Sequence, residues 1–176
     1  PLKSNVCGGV DTERMYDNMM NKFRWGGLDT ATPENPIYLD ENIRRMCQTT
    51  RVMFSQLIGQ LIVEGKTDKA LAALNMANEK IPAWLVPYES LAIQMANFYI
   101  QLGEKEKAAE ILNAELNRSI EYLAWYSTLT SSQLRSVADY EMHYYVLQAG
   151  LDIFQENGMT TEAERIYAQC QANGLI

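Results

Sequence analysis

Leu57-Ile58-Gly59-Gln60-Leu61-Ile62-Val63-Glu64-Gly65-Lys66-Thr67-Asp68-Lys69-Ala70-Leu71-Ala72-Ala73-Leu74 decides how this chain folds. Apolar residues recur at helical spacing on both sides of Gly65-Lys66-Thr67-Asp68, so the stretch predicts two helices joined by a tight turn. The same arrangement recurs around Gly103-Glu104-Lys105-Glu106 and Gly158-Met159-Thr160-Thr161. Each turn glycine stands five residues before an alanine, as Gly65 to Ala70, Gly103 to Ala108 and Gly158 to Ala163. That offset has a physical cause. Glycine ends a helix in the left-handed conformation without a Cβ penalty, and a small residue in the next first turn lets the two helices approach closely. Ala163 lies farther from Ala108 than Ala108 does from Ala70, so the third unit carries an insertion.

Working outward, the first unit resembles the tetratricopeptide repeat at Phe54, Leu57, Leu61, Gly65, Ala70, Leu74, Ala77 and Pro82. The second keeps Met95, Ala96, Tyr99, Gly103, Ala108 and Leu112 but has Glu115 and Ile120 where alanine and proline are expected. The third keeps Leu147, Leu151, Phe154, Gly158, Ala163, Tyr167 and Cys170, and Asn173-Gly174 looks like a capped terminal helix. The resemblance implies an all-α right-handed α-α superhelix of about three hairpins (units about 41–82, 87–120 and 132–174) preceded by a leader helix and extended arm over residues 1–40.

Composition narrows the function. The chain has 176 residues, 47% of them hydrophobic, and a net charge of −7, the wrong sign for neutralising phosphates, so no nucleic-acid partner is expected. No apolar run approaches the length that spans a bilayer. The chain opens on Pro1 rather than Met, which fits a processed chain or a fragment of a longer parent. Cys7, Cys47 and Cys170 are too few and too scattered for a disulfide framework and read as structural thiols. His143 is the only histidine, no CxxC pair exists, and Asp139 four residues before it reads as a surface i,i+4 partner; no metal or cofactor is predicted.

The segments outside the repeats are less regular. Residues 11–23 read as a short helix capped by Asp11 or Thr12, with Met15, Met19 and Phe23 along one face, stopping at Gly26-Gly27. Pro33 and Pro36 make the following stretch extended, and Asp40 or Asp29 is placed to initiate the next helix. Trp25, Ile37 and Tyr38 would pin this leader to the first hairpin; alternatively Arg24, Trp25, Asp29 and Tyr38 line a contact surface for another domain. Residues 117–132 are aromatic and polar, and Thr130 with Gln133 predicts a capping box opening one long helix to residue 157. Tyr140, Tyr144, Tyr145, Leu147, Leu151 and Phe154 then recur at helical spacing, as core packing or as an aromatic groove for a peptide or glycan.

The leader and first helix carry a second resemblance. Met15-Tyr16-Asp17-Asn18-Met19-Met20-Asn21-Lys22-Phe23-Arg24-Trp25-Gly26-Gly27-Leu28, followed by Tyr38-Leu39-Asp40-Glu41-Asn42, is similar to the C-terminal tail of the DUF2723 family. Those are multispanning membrane proteins, common in Bacteroidetes and related to protein O-mannosyltransferases, in which a GT-C-type membrane half precedes a repeat-bearing tail. The resemblance implies that the chain sits on the periplasmic or extracytoplasmic face of the inner membrane, and that any glycosyl transfer belongs to the absent membrane half.

Within the chain no catalytic constellation is legible: there is no GxSxG elbow, no phosphate-binding glycine loop, and no nucleophile with a recognisable histidine partner. Repeat geometry instead places Ser55, Gly59, Ser90, Asn97, Gln101, Gln148 and Asp152 on a concave wall, a polar groove suited to an extended peptide. The expectation is a non-catalytic interaction domain that binds or positions a protein acceptor or the membrane half, the alternative being a free-standing adaptor unrelated to glycosylation. Asn117-Arg118-Ser119 and Asp29-Thr30-Ala31 match short N- and O-glycosylation patterns.

Overall fold

The computed structural model describes residues 9–176, and every regular element among them is helical. Cys7 lies outside the described residues. The chain divides into two compact units after Val86. The leader and the first hairpin share one unit, and Pro87–Ile176 forms the other.

In the first unit, α1 (Thr12–Asp17) starts where Asp11 accepts the Arg14 amide at 3.1 Å, then widens into a π turn (Asn18–Lys22). The expected helix over 11–23 is therefore interrupted. The extra residue per turn shifts the register, so Met19 is buried while Phe23 is left on the surface. A 3-10 turn (Gly26–Asp29) follows. Asp40 caps α2 (Glu41–Val63) through the Ile43 amide at 2.8 Å, and α2 packs on α3 (Thr67–Lys80). Gly65 at φ 72° turns the chain, with the Lys66 amide reaching back to Leu61 O at 2.9 Å.

The leader is fastened to this hairpin at two places. At the turn, Lys66 reaches Glu13 at 2.8 Å and Glu64 at 2.7 Å, Lys69 reaches Glu13 at 2.7 Å, and the Thr12 hydroxyl donates to Glu64 at 2.8 Å. Farther along, Trp25 stacks on Phe54 with centroids 6.0 Å apart, and Trp25, Leu28 and Ile37 pack on Leu39, Cys47, Ile81 and Val86. Arg51 is fully buried in α2, where its guanidinium donates to the carbonyls of Ile81 (2.6 Å) and Val86. A charge-assisted donor there satisfies the carbonyl of Ile81, the C-cap of α3, and that of Val86 in the segment beyond it, which fixes the exit from the hairpin.

The second unit contains α4 (Leu91–Gln101), α5 (Lys105–Ser127), α6 (Ser131–Leu134), α7 (Tyr140–Glu156) and α8 (Thr160–Ala172). Helices α4 and α5 pair across Gly103, α7 and α8 across Gly158, and α7 packs on both α4 and α5. The amides of Glu104, Met159 and Leu175 return to Tyr99, Phe154 and Cys170 at 2.8, 2.8 and 3.0 Å, repeating the bond seen after Gly65. Ala70, Ala108 and Ala163 are buried, as the fixed offset requires.

Two departures from the repeat pattern have local causes. Glu115, where alanine is expected, is buried and accepts the Tyr88 amide at 3.1 Å, bracing a bend in which Glu89 holds a strained φ of 55° at the entry to α4. The Thr130/Gln133 capping box forms, but it opens a single turn and not a helix to residue 157. Residues 135–139 leave the helix because the Tyr126 hydroxyl holds Asp139 at 2.7 Å, and α7 begins afresh beyond it. Gly150 lets α7 lie close to α5: a Cβ there would stand 2.6 Å from Leu116 Cδ2.

Candidate functional site

The second unit holds an apolar trough of about 410 Å³ walled by the end of α5, by α6, and by α7 and α8. Tyr140, Tyr144, Leu147 and Leu151 project from one stripe of α7, Tyr126 from α5 and Tyr167 from α8. This stripe follows from helical spacing, since these α7 positions fall within one arc of the helix surface. Core packing was one reading of it, and the structure corrects that for most of its members. Only Phe154 is fully buried, while Tyr144 is 57%, Tyr145 53% and Tyr140 39% exposed. The core face of α7 is instead built by His143, Val146, Gly150, Ile153 and Phe154.

Behind the trough lies a polar brace. The Tyr126 hydroxyl donates to Asp139 Oδ1 at 2.7 Å, Asp139 Oδ2 stands 3.7 Å from His143 Nε2, and His143 Nδ1 lies 3.2 Å from Ser119 Oγ. Tyr122 stacks on the imidazole at 4.4 Å. His143 is thus a buried residue and not one half of a surface pair. Burial pushes its imidazole below the ordinary value against the pull of Asp139, so it sits neutral; burial and then Asp139 push the Tyr126 phenol up. Serine, histidine and aspartate do converge, which sequence spacing could not show because Ser119 and His143 come from different helices. Ser119 is 0% exposed, and no substrate reaches its hydroxyl. The trio therefore locks Tyr126 and the α7 entry in place. Among the described residues no three His, Cys, Asp or Glu side chains gather as a metal site. Burial pushes the Cys47 and Cys170 thiols up, away from reactive thiolates.

The predicted polar wall is divided. Ser90, Asn97 and Gln101 share one face of α4, beside Gln94 and Tyr145, over a shallow depression. Gln148 instead lines the apolar trough, and Asp152 is exposed on α7 outside both. Ser55 and Gly59 belong to the first unit, and Ser55 is buried, so its hydroxyl forms no open wall. Of the arm residues, Trp25 is packed, Asp29 pairs with Lys80 at 2.8 Å, Arg24 is exposed, and Tyr38 is 88% exposed and pins nothing. Ser119 of the Asn117 sequon is sealed in α5, whereas Thr30 lies exposed after the 3-10 turn. No helix of the described residues is long and apolar enough to cross a membrane. No protein-family model matches the chain, and neither a curated protein nor a solved structure matches it.

Proposed function

We propose that the chain is a non-catalytic interaction domain of tetratricopeptide-like hairpins, and that the trough in its second unit receives a segment of another protein. The observation that carries this reading is the open tyrosine-and-leucine trough itself. Tyrosine offers large apolar area with a hydroxyl at small entropic cost, the composition that protein interfaces favour. A rigid brace behind Tyr126 supports it, because a preorganised surface loses less freedom on binding. A photo-crosslinking residue in place of Tyr144, in source cells, should trap a polypeptide. Absence of any adduct there, with the same probe reactive toward a control partner elsewhere, removes the reading.

The likeness to the DUF2723 tail extends the proposal. The domain would then face the periplasm or outer leaflet and position either a protein acceptor or the membrane half of its own chain. Trp25 and Asp40, which belong to the motifs carrying that likeness, pack the leader and start α2. Apparent mass and membrane fractionation of the native chain test this extension. A much larger species released only by detergent supports it, and a freely soluble species near 20.0 kDa leaves a free-standing adaptor.

A further inference from the structure

We propose that residues 128–142 form a flap on the trough, which His143 latches shut while it is neutral and releases when it takes a proton. The inference concerns the wall of the trough and stands whatever the trough receives. Its first support is how little holds the segment down. None of these residues is buried, although two of them, Leu134 and Tyr140, wall the trough. Their side-chain bonds among the described residues are local, from Thr128 to the last turn of α5 and between Thr130 and Gln133, with one exception. That exception is Asp139, which accepts from the Tyr126 hydroxyl at 2.7 Å. His143, 3% exposed, is the first buried residue that follows. A stretch with so few buried contacts opens locally at small cost, so the latch at its end decides whether it is closed.

The second support is the geometry around the imidazole. Nδ1 lies 3.2 Å from Ser119 Oγ, a hydroxyl that serves as donor or acceptor and so suits either protonation state. Nε2 faces Asp139 Oδ2 at 3.7 Å, beyond hydrogen-bond length, and that carboxylate already holds Tyr126. A proton makes both ring nitrogens donors in a place that satisfies one. Closing the gap moves Asp139 and with it the bond to Tyr126; reaching water instead lifts the segment. Both loosen the flap. Among the charged groups, Arg118 on α5 opposes the proton and Asp139 attracts it, while burial outweighs the attraction and holds the imidazole below its ordinary value. Tyr122 and Tyr126 lie against the ring, and α4 carries no charged side chain. Arg135 and Glu141 in the flap are exposed, and Glu162, Glu164 and Arg165 of α8 sit beside the Gly158 turn, at the far end of α7 from His143. Glu115, buried on α5, titrates with the opposite sign, since burial raises it. An open flap returns the ring to its ordinary 6.5, so protons favour opening as pH falls from 6.5 toward the lower closed value.

Two measurements on the whole chain test this. His143 is the single histidine, so its imidazole resonance in a proton NMR titration is unambiguous, and its midpoint should fall below 6.5. Amide hydrogen exchange at about pH 7.5 and 5.5, corrected for intrinsic rates, reads the flap itself. Protection of the first bonded turn of α7, from the amide of His143 to that of Val146, should drop about threefold or more at the lower pH while α4 and α5 keep theirs; linkage to one proton caps the drop at about tenfold per pH unit. His143→Gln, which keeps a neutral polar group in place, should lose that dependence on pH. Tyr126→Phe keeps the ring and removes the bond to Asp139, so the same turn should be less protected already at about pH 7.5. Should the glutamine variant fail to fold, the titration and exchange of the parent still decide. A midpoint at or above 6.5 overturns the inference, as does protection that ignores pH, that falls as far in His143→Gln, or that Tyr126→Phe leaves unchanged. A loss shared equally by α4 and α5 overturns it too, because the whole unit and not the flap is then opening.

Discussion

Hairpins α2–α3 and α7–α8 share the turn glycine, the buried alanine after it and the capping bond, yet they present different surfaces. Phe54, Ile58 and Leu74 are fully buried in the first, whereas Leu147, Leu151 and Tyr167, at the same offsets, line an open trough in the last. The turn therefore specifies that two helices pair but not what covers the pair. Coverage comes from outside it. In the first hairpin the leader lays Trp25 on Phe54 and Arg51 ties down residues 81–86, while the last hairpin packs on α4 and α5 and leaves the stripe of Leu147, Leu151 and Tyr167 lining the trough.

The strongest way to break the contrast is to unfasten the first hairpin. Arg51→Met should destabilise the chain by about 3 kcal/mol, because the Ile81 and Val86 carbonyls lose a buried charged donor. Urea unfolding reads this, and a change under about 1 kcal/mol would mean that water replaces the guanidinium. Wedging the last hairpin off α5 comes next. Gly150→Leu should cost about 2 kcal/mol through overpacking on Leu116, measured in the same way.

A smaller effect is read by pH. His143 has a folded pKa below its ordinary 6.5, so the unfolded chain binds more protons in that region. Its contribution to stability is present above 6.5 and is lost as pH falls from there toward the lower folded value. Glu115 runs the other way: burial pushes it above 4.5, so its share is full below 4.5 and is lost as pH rises through the folded value. His143→Phe isolates the first effect, and denaturant midpoints at about pH 7.5 and 5.5 should converge more closely in the variant than in the parent. The smallest effect sharpens the comparison instead of breaking it. Tyr144→Ser should leave the thermal midpoint within about 0.5 kcal/mol of stability, the mark of a side chain that serves the surface and not the core.

Local signals were legible in the sequence where local physics decides. The three turns, the Asp40 cap and the capping box all follow from residues within a few positions of one another. The all-helical class follows from period alone. What stayed hidden depends on contacts between distant segments. Nothing near Arg51 announces that residues 81–86 will surround it, and nothing near Thr130 announces that Tyr126 will hold Asp139 and end the helix after one turn. The trough was half legible: helical spacing put Tyr140, Tyr144, Leu147 and Leu151 on one stripe, but period cannot say whether a stripe is covered. The polar wall drawn from repeat offsets was the least secure, because Ser55 is sealed and Gln148 faces leucines and tyrosines.

The four helix-ending glycines also carry a stereochemical consequence. Gly65, Gly103, Gly158 and Gly174 all have φ between 67° and 83°, and a Cβ built on any of them meets nothing within 4 Å. Space there is free, and only handedness is wrong for an L side chain. The mirror-image amino acid removes that objection: D-alanine accepts the observed φ without strain and narrows the unfolded ensemble, by about 0.4–1 kcal/mol per position wherever its Cβ, which takes the place of the other Hα, is as unobstructed as the L one. A chain assembled by chemical ligation with four D-residues would thus be sturdier than the all-L parent, with its achiral punctuation replaced by chiral punctuation of the opposite hand.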